Sequence, residues 1–100
     1  MPAIKIDPNR ITLTDRSGSI ATGATAQQLA AANGTREYLL IQNVSAEDIW
    51  INFGITAVAD QPSIKIAAGQ SREWTVLGVP TASVSIIAAT TGSKFVAKEA

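Results

Sequence analysis

The residues able to do acid–base chemistry in this 100-residue chain are eight carboxylates: Asp7, Asp15, Glu37, Glu47, Asp48, Asp60, Glu73 and Glu99. A glycoside hydrolase needs two of these facing one cleft. Glu47 and Asp48 are adjacent in a polar segment and read as a solvated turn, not as an acid and a base. Calcium could be held by the same pair with nearby carbonyls, but the graded carboxylate spacing of a dedicated calcium loop is missing. The chain has no His and no Cys, which removes imidazole bases, thiol nucleophiles, structural zinc and disulfides together. Ser and Thr are plentiful, yet no G-x-S-x-G turn occurs, and Thr22-Gly23-Ala24-Thr25 lacks the second Gly and the Lys of a phosphate loop. Nothing points to a Ser–Lys dyad. The expectation is a protein that is not an enzyme and has no cofactor and no catalytic or metal site.

Two tryptophans remain as binding chemistry. An exposed Trp on a strand can stack on a sugar ring or anchor a partner protein. Trp50 alternates against Ile49 and Ile51, so it points outward if those isoleucines are core; the bland reading is that it packs under a loop or the N-terminal segment. Trp74 carries the same two readings, with the packing role favoured.

Strands must position these residues. Short Ile/Val/Thr/aromatic runs separated by Gly, Asn and Pro are the pattern of an all-β domain. The predicted strands are Arg10–Leu13, Ser19–Ala24, Arg36–Asn43, Ile49–Phe53, Ser63–Ala67, Arg72–Val76, Ser83–Ala88 and Lys94–Ala97. Period-2 alternation places Ile49, Ile51 and Phe53 on one face, and likewise Ile64 with Ile66 and Val84 with Ile86 and Ala88. Tyr38-Leu39-Leu40-Ile41 is apolar on both faces, as suits a central buried strand. Asn33-Gly34, Ala68-Gly69-Gln70 and Thr91-Gly92-Ser93 read as positive-φ turns of tight hairpins, and Pro80 marks a break. Residues 25–32 fit either a short helix or an irregular strand. Eight short strands in this length suit a compact, jelly-roll-like β-sandwich at residues 17–100. Residues 1–16, with Pro2 and Pro8 among charged side chains, form an N-terminal arm or edge segment.

Composition narrows the partners. Eight Lys+Arg balance eight Asp+Glu, and charged residues make up 16%, below the roughly 25% usual in soluble domains. A neutral chain gains little from counterion release, which argues against a nucleic-acid partner. No run of 18 apolar residues occurs, so no membrane partner is expected, and Met1–Pro8 lacks the apolar run of an export signal. Asn33-Gly34-Thr35 and Asn43-Val44-Ser45 match the glycosylation pattern but are read as unmodified. Of the 46 apolar residues 17 are Ala, enough for one thin core of two layers. Ser17–Thr35, Ile49–Ala59 and Trp74–Ser93 contain no charged residue. Interface cores are depleted in charge, so these stretches invite an assembly reading beside the plain one of buried strands and small-residue loops.

One further pattern spans residues 27–97: a Gln27–Ser45 stretch containing Arg36-Glu37-Tyr38-Leu39-Leu40-Ile41-Gln42-Asn43, then Asp48-Ile49-Trp50-Ile51-Asn52-Phe53-Gly54, then Gln61–Gly69, and finally Ala89-Thr90-Thr91-Gly92-Ser93-Lys94-Phe95. In combination these motifs resemble small virion proteins of tailed bacteriophages. The resemblance implies a capsid decoration (cement) protein, made in the host cytoplasm and placed on the capsid surface of the virion. Its implied partners are the major capsid protein and further copies of itself, as a dimer or trimer, acting through many modest contacts. The alternative is a fibre or tail-associated module that binds a host glycan or another virion component. Partner contacts are expected from the arm, at Ile4, Ile6, Arg10 and Ile11, and from Trp50. Arg36, Gln42 and Asn43 match the resembled strand pattern and read as strand-end and turn residues without a site role.

Overall fold

The computed structural model describes residues 12–100 and is all-β. Its strands are β1 (Thr14–Asp15), β2 (Gly18–Ser19), β3 (Gln27–Ala30), β4 (Leu39–Asn43), β5 (Ile49–Phe53), β6 (Ile64–Ile66), β7 (Ser71–Trp74), β8 (Val84–Ala88) and β9 (Lys94–Glu99). They form two antiparallel sheets. The first runs β1-β9-β4-β7, with β2 also on β9, and the second runs β3-β8-β5-β6. With β1 and β2 counted as one interrupted strand, this order is the eight-stranded double Greek key of a jelly roll.

The alternation seen in the sequence builds the core. Leu39 and Ile41 of β4, Ile49 and Ile51 of β5, Ile66 of β6, Val84 and Ile86 of β8, and Ala97 of β9 are fully buried between the sheets. Register explains why they meet. Ile49 lies opposite Ile66 and Ala88, and Ile51 opposite Ile64 and Ile86, so one face of three strands is continuously apolar. Leu40 points to the outer face of β4 and is half-buried, so this strand is buried on its inner side alone. Residues 27–30 form an irregular strand with a register shift between Gln28 and Ala30, not a helix.

The turns do different work from the one their chemistry suggests. Gly69 and Gly92 do have positive φ, but neither closes a hairpin. Gly69 joins β6 to β7 and Gly92 joins β8 to β9, and each of these pairs is split between the two sheets. They are corners, where the chain crosses the core and must reverse direction within a few residues. The segment at Asn33–Arg36 is a corner too, between β3 and β4. Gly34 is not at positive φ there; the turn is closed by Arg36 N–H donating to Asn33 O at 3.1 Å, with the Asn33 side chain accepting from Thr35 N–H. Among consecutive strands, β5 and β6 are antiparallel neighbours in one sheet, joined through residues 54–63.

Strand limits shift for similar local reasons. Thr12 and Leu13 precede β1, while Arg10 and Ile11 lie outside the described residues. The run expected as Ser19–Ala24 leaves the sheet after Ile20, whose N–H donates to Ser93 O at 2.9 Å and whose carbonyl accepts from Gly92 N–H at 2.8 Å, because the chain then turns through Gly23 and through Ala24 at φ 60°. Arg36–Tyr38 lie ahead of β4, where Glu37 and Tyr38 N–H both donate to Ala100 O, at 2.7 and 3.0 Å. Thr14–Arg16, the last residues of the expected arm or edge segment, sit on the sheet edge: Asp15 pairs with Lys98, and Arg16 N–H donates to Ala97 O at 2.7 Å.

Candidate interaction surfaces

Jelly-roll connectivity sorts the loops into two ends. At one end lie the β2–β3, β4–β5, β6–β7 and β8–β9 connections; at the other lie β3–β4, β5–β6 and β7–β8. Glu47 and Asp48 are exposed in the β4–β5 connection. Among the described residues no three Asp, Glu, His or Cys side chains are grouped to hold a metal ion.

Ile49 and Ile51 are core, and Trp50 accordingly faces outward on β5, flanked by Lys65 of β6 and Ile87 of β8, and is half-buried. Of the other residues expected to touch a partner, Ile4, Ile6, Arg10 and Ile11 lie outside the described residues. Trp74 faces inward at the edge of the first sheet, with its ring edge-to-face on Phe53 of the second, centroids 5.2 Å apart. It is a packing residue that bridges the two layers.

Next to Trp50 on the same outer face, Asn52, Ser85 and Gln28 lie opposite one another across β5, β8 and β3. Residues 54–57 cross this row, with Ala57 N–H donating to Ser85 Oγ at 2.9 Å. An open cleft of about 320 Å³ lies beside the crossing, lined in part by Gln28, Thr56, Ser83 and Ser85. Asn52 Nδ2 is buried and has no hydrogen-bond partner among the described residues.

Two charged residues at the other end, Arg36 and Glu99, are internal. Arg36 has a fully buried side chain that donates from Nε to Glu99 Oε1 at 2.8 Å, and from its terminal nitrogens to the carbonyls of Ala31, Pro80 and Ala82. Glu99 Oε2 accepts from Arg16 at 2.6 Å. Burial alone would raise the Glu99 pKa, but the bonds and charges of Arg36 and Arg16 outweigh it and hold the carboxyl below its ordinary value. Arg36 therefore has a structural role at a corner, beyond that of a strand-end residue. Tyr38 donates its hydroxyl to Glu73 at 2.5 Å, and this bond, with burial and the carboxylate charge, pushes the phenol pKa up.

Exposed large apolar side chains were not individually legible in the sequence. Leu13, Val44, Ile55, Val58, Val76 and Leu77 are all exposed, and every one lies outside the strands. Val76 and Leu77 form the crown of a turn closed by Gly78 N–H donating to Thr75 O at 2.8 Å. Leu77 is 98% exposed. The available signal was a pair of large aliphatics between Thr75 and Gly78 inside a charge-free run. Charge depletion marks both core and surface, which is why it did not single them out.

No family model and no curated relative matches the chain. A solved structure from work on Bacillus endospore appendages, described as a family of disulfide-linked pili, is similar at a TM-score of 0.52 and 18% identity, covering 88% of this chain and 83% of that one. At that identity the likeness is one of fold: this chain shares an all-β sandwich with a pilus protein.

Proposed function

We propose that this chain is a structural subunit that works by multivalent protein–protein contact, in the setting that its sequence resemblance implies: decoration of a bacteriophage capsid. The major capsid protein is then its partner on the virion surface, and it self-associates as a dimer or trimer. The observation that carries this reading is the placement of the exposed apolar residues. Among the described residues, five large exposed hydrophobic side chains stand on connections at both ends of a weakly charged sandwich, and a sixth, Leu13, stands just ahead of β1. Each offers a small anchor, and repetition over a particle sums modest anchors through effective concentration. Fold similarity to a pilus protein supports a building-block role. Disulfide linkage, by which those pili are described, is closed to the sequence given, which has no Cys.

Mixing the protein with emptied, expanded capsids of the cognate phage and sedimenting them tests the proposal. Co-pelleting in simple proportion to capsid subunits is the expected result. A second reading, a fibre or tail-associated module that binds a host glycan, is favoured by outward-facing Trp50 beside the polar cleft at Gln28, Thr56 and Ser85. Absence from the capsid pellet, together with retention on bacterial polysaccharide that Trp50→Ala abolishes, would replace the first reading with this one.

A further inference from the structure

We propose that copies of this chain dock head to tail, with the Val76–Leu77 turn of one seated in the groove between residues 44–47 and 90–94 of the next. The proposal rests on the self-association reading above and specifies its geometry. The knob is defined by the β7–β8 connection. Trp74, the last residue of β7, lies opposite Leu39, where β4 begins, so the turn projects from that end of the first sheet. Val76 is 65% exposed and Leu77 98%. The turn's backbone bond holds both side chains out without support from the core.

The groove lies at the opposite end of the same sheet, beyond Asn43, where β4 stops, and Lys94, where β9 begins. It measures about 420 Å³ and is lined by Val44, Ala46, Thr90, Thr91 and Gly92, with Glu47 and Lys94 as its charged members. Val44, an exposed aliphatic on its wall, gives the incoming Leu77 an apolar surface to cover.

Two observations commit the occupant to a second copy. Knob and groove stand at the two ends of one sheet, so a translation along the strands brings the knob of one molecule to the groove of another. Such a contact is heterologous, and a pure translation repeats it into an open row of copies in place of a closed dimer or trimer. Charge is also compatible: the uncharged run Trp74–Ser93 contains the knob and most of one groove wall. Docking then strands no ion on the knob, and the groove's two charges are of opposite sign. A lipid surface is disfavoured as occupant, because membrane-seeking apolar segments carry basic residues beside them and this run has none.

Because the chain has no Cys, introduced thiols report the contact cleanly. Leu77→Cys and Ala46→Cys are placed on exposed residues. Mixed and oxidised, the two single variants should give a crosslinked heterodimer, and the double variant a ladder of covalent multimers. Leu77→Ser should weaken association in sedimentation velocity by roughly tenfold or more, the worth of burying one large aliphatic side chain. If association persists unchanged in Leu77→Ser and the mixed pair does not crosslink, the head-to-tail contact is wrong while self-association stands. Homodimers of Leu77→Cys in preference to the mixed pair would likewise overturn it, in favour of a two-fold contact. A strict monomer at high micromolar concentration defeats both readings.

Discussion

Arg36 and Glu99, 63 residues apart in sequence, meet through Nε and Oε1 at 2.8 Å, with the Arg36 side chain wholly out of solvent. The pair closes one end of the sandwich. Arg36 also reaches the carbonyls of Ala31, Pro80 and Ala82, so one guanidinium fastens the β3–β4 and β7–β8 connections to the final strand. Four of its five N–H donors meet acceptors, and this pairing is what makes a buried cation tolerable.

Removing one partner should therefore cost far more than a surface ion pair would. Arg36→Met leaves Glu99 with Arg16 alone and strips three carbonyls of a donor. The expected loss is about 3–5 kcal/mol, the range for breaking a buried pair. Urea unfolding checks this. The double variant Arg36→Met with Glu99→Leu should recover part of the loss, since it no longer strands a charge.

The same carboxylate sets the acid response. Its folded pKa lies below the ordinary 4.5, so the unfolded chain takes up the proton first as pH falls. The contribution is complete above about 4.5 and is lost as pH drops through the lower folded value. Asp15 acts in the same direction, held at about 2 by hydrogen bonds from Ser17, but it is fully exposed and screened, so its share is small. Urea midpoints should decline below pH 4.5 in the native chain, and the decline should be shallower in Glu99→Gln. Equal slopes in the two would assign the acid response to other groups.

Alternation made most strands and their inward faces legible: Ile49, Ile51, Val84 and Ile86 are core where period two puts them. Connectivity was less legible. Gly69 and Gly92 supply the same positive φ to a sheet-crossing corner as to a hairpin, and which one forms is decided by pairing far along the chain. Nothing local could reveal that Arg36 belongs with Glu99, or that Leu77 would stand free. Of the residues expected to meet a partner, Trp50 lies half-buried on an outer face, as alternation requires once Ile49 and Ile51 are core.

Gly23 separates a glycine required by space from one that is incidental. A Cβ on it would sit 2.3 Å from Ala89 O and 2.9 Å from Thr91 N, both backbone atoms of the β8–β9 corner. Gly23→Ala must push the two corners apart, at an expected cost of about 1–3 kcal/mol. Gly34 has open space around its Cβ position and no positive φ, so Gly34→Ala should change stability by no more than about 0.5 kcal/mol. Thermal unfolding of the two variants compares them directly.

Asn43 gives the sharpest test of polar satisfaction in the core. It is fully buried at the end of β4. Its Nδ2 donates to Ile66 O at 2.8 Å and to Glu47 O at 2.5 Å, while Oδ1 accepts from Ser45 N–H at 2.9 Å and from Ser45 Oγ at 2.7 Å. All four capacities of the amide are used, which also leaves the Asn43-Val44-Ser45 sequon with no free amide for a glycan. Asn43→Ala should cost about 1–3 kcal/mol, because buried groups of the loop and of β6 lose their partners. Asn43→Asp keeps the shape but turns a carboxylate toward two carbonyl oxygens, which disfavours its charged form and raises its folded pKa. The sign is then opposite to that of Glu99: this variant should be weakest at neutral pH and recover relative to the native chain as acid protonates the new carboxyl. Urea midpoints at pH 7 and pH 5 for Asn43→Asp and the native chain measure that recovery, and a constant gap between them would contradict the donor role of Nδ2.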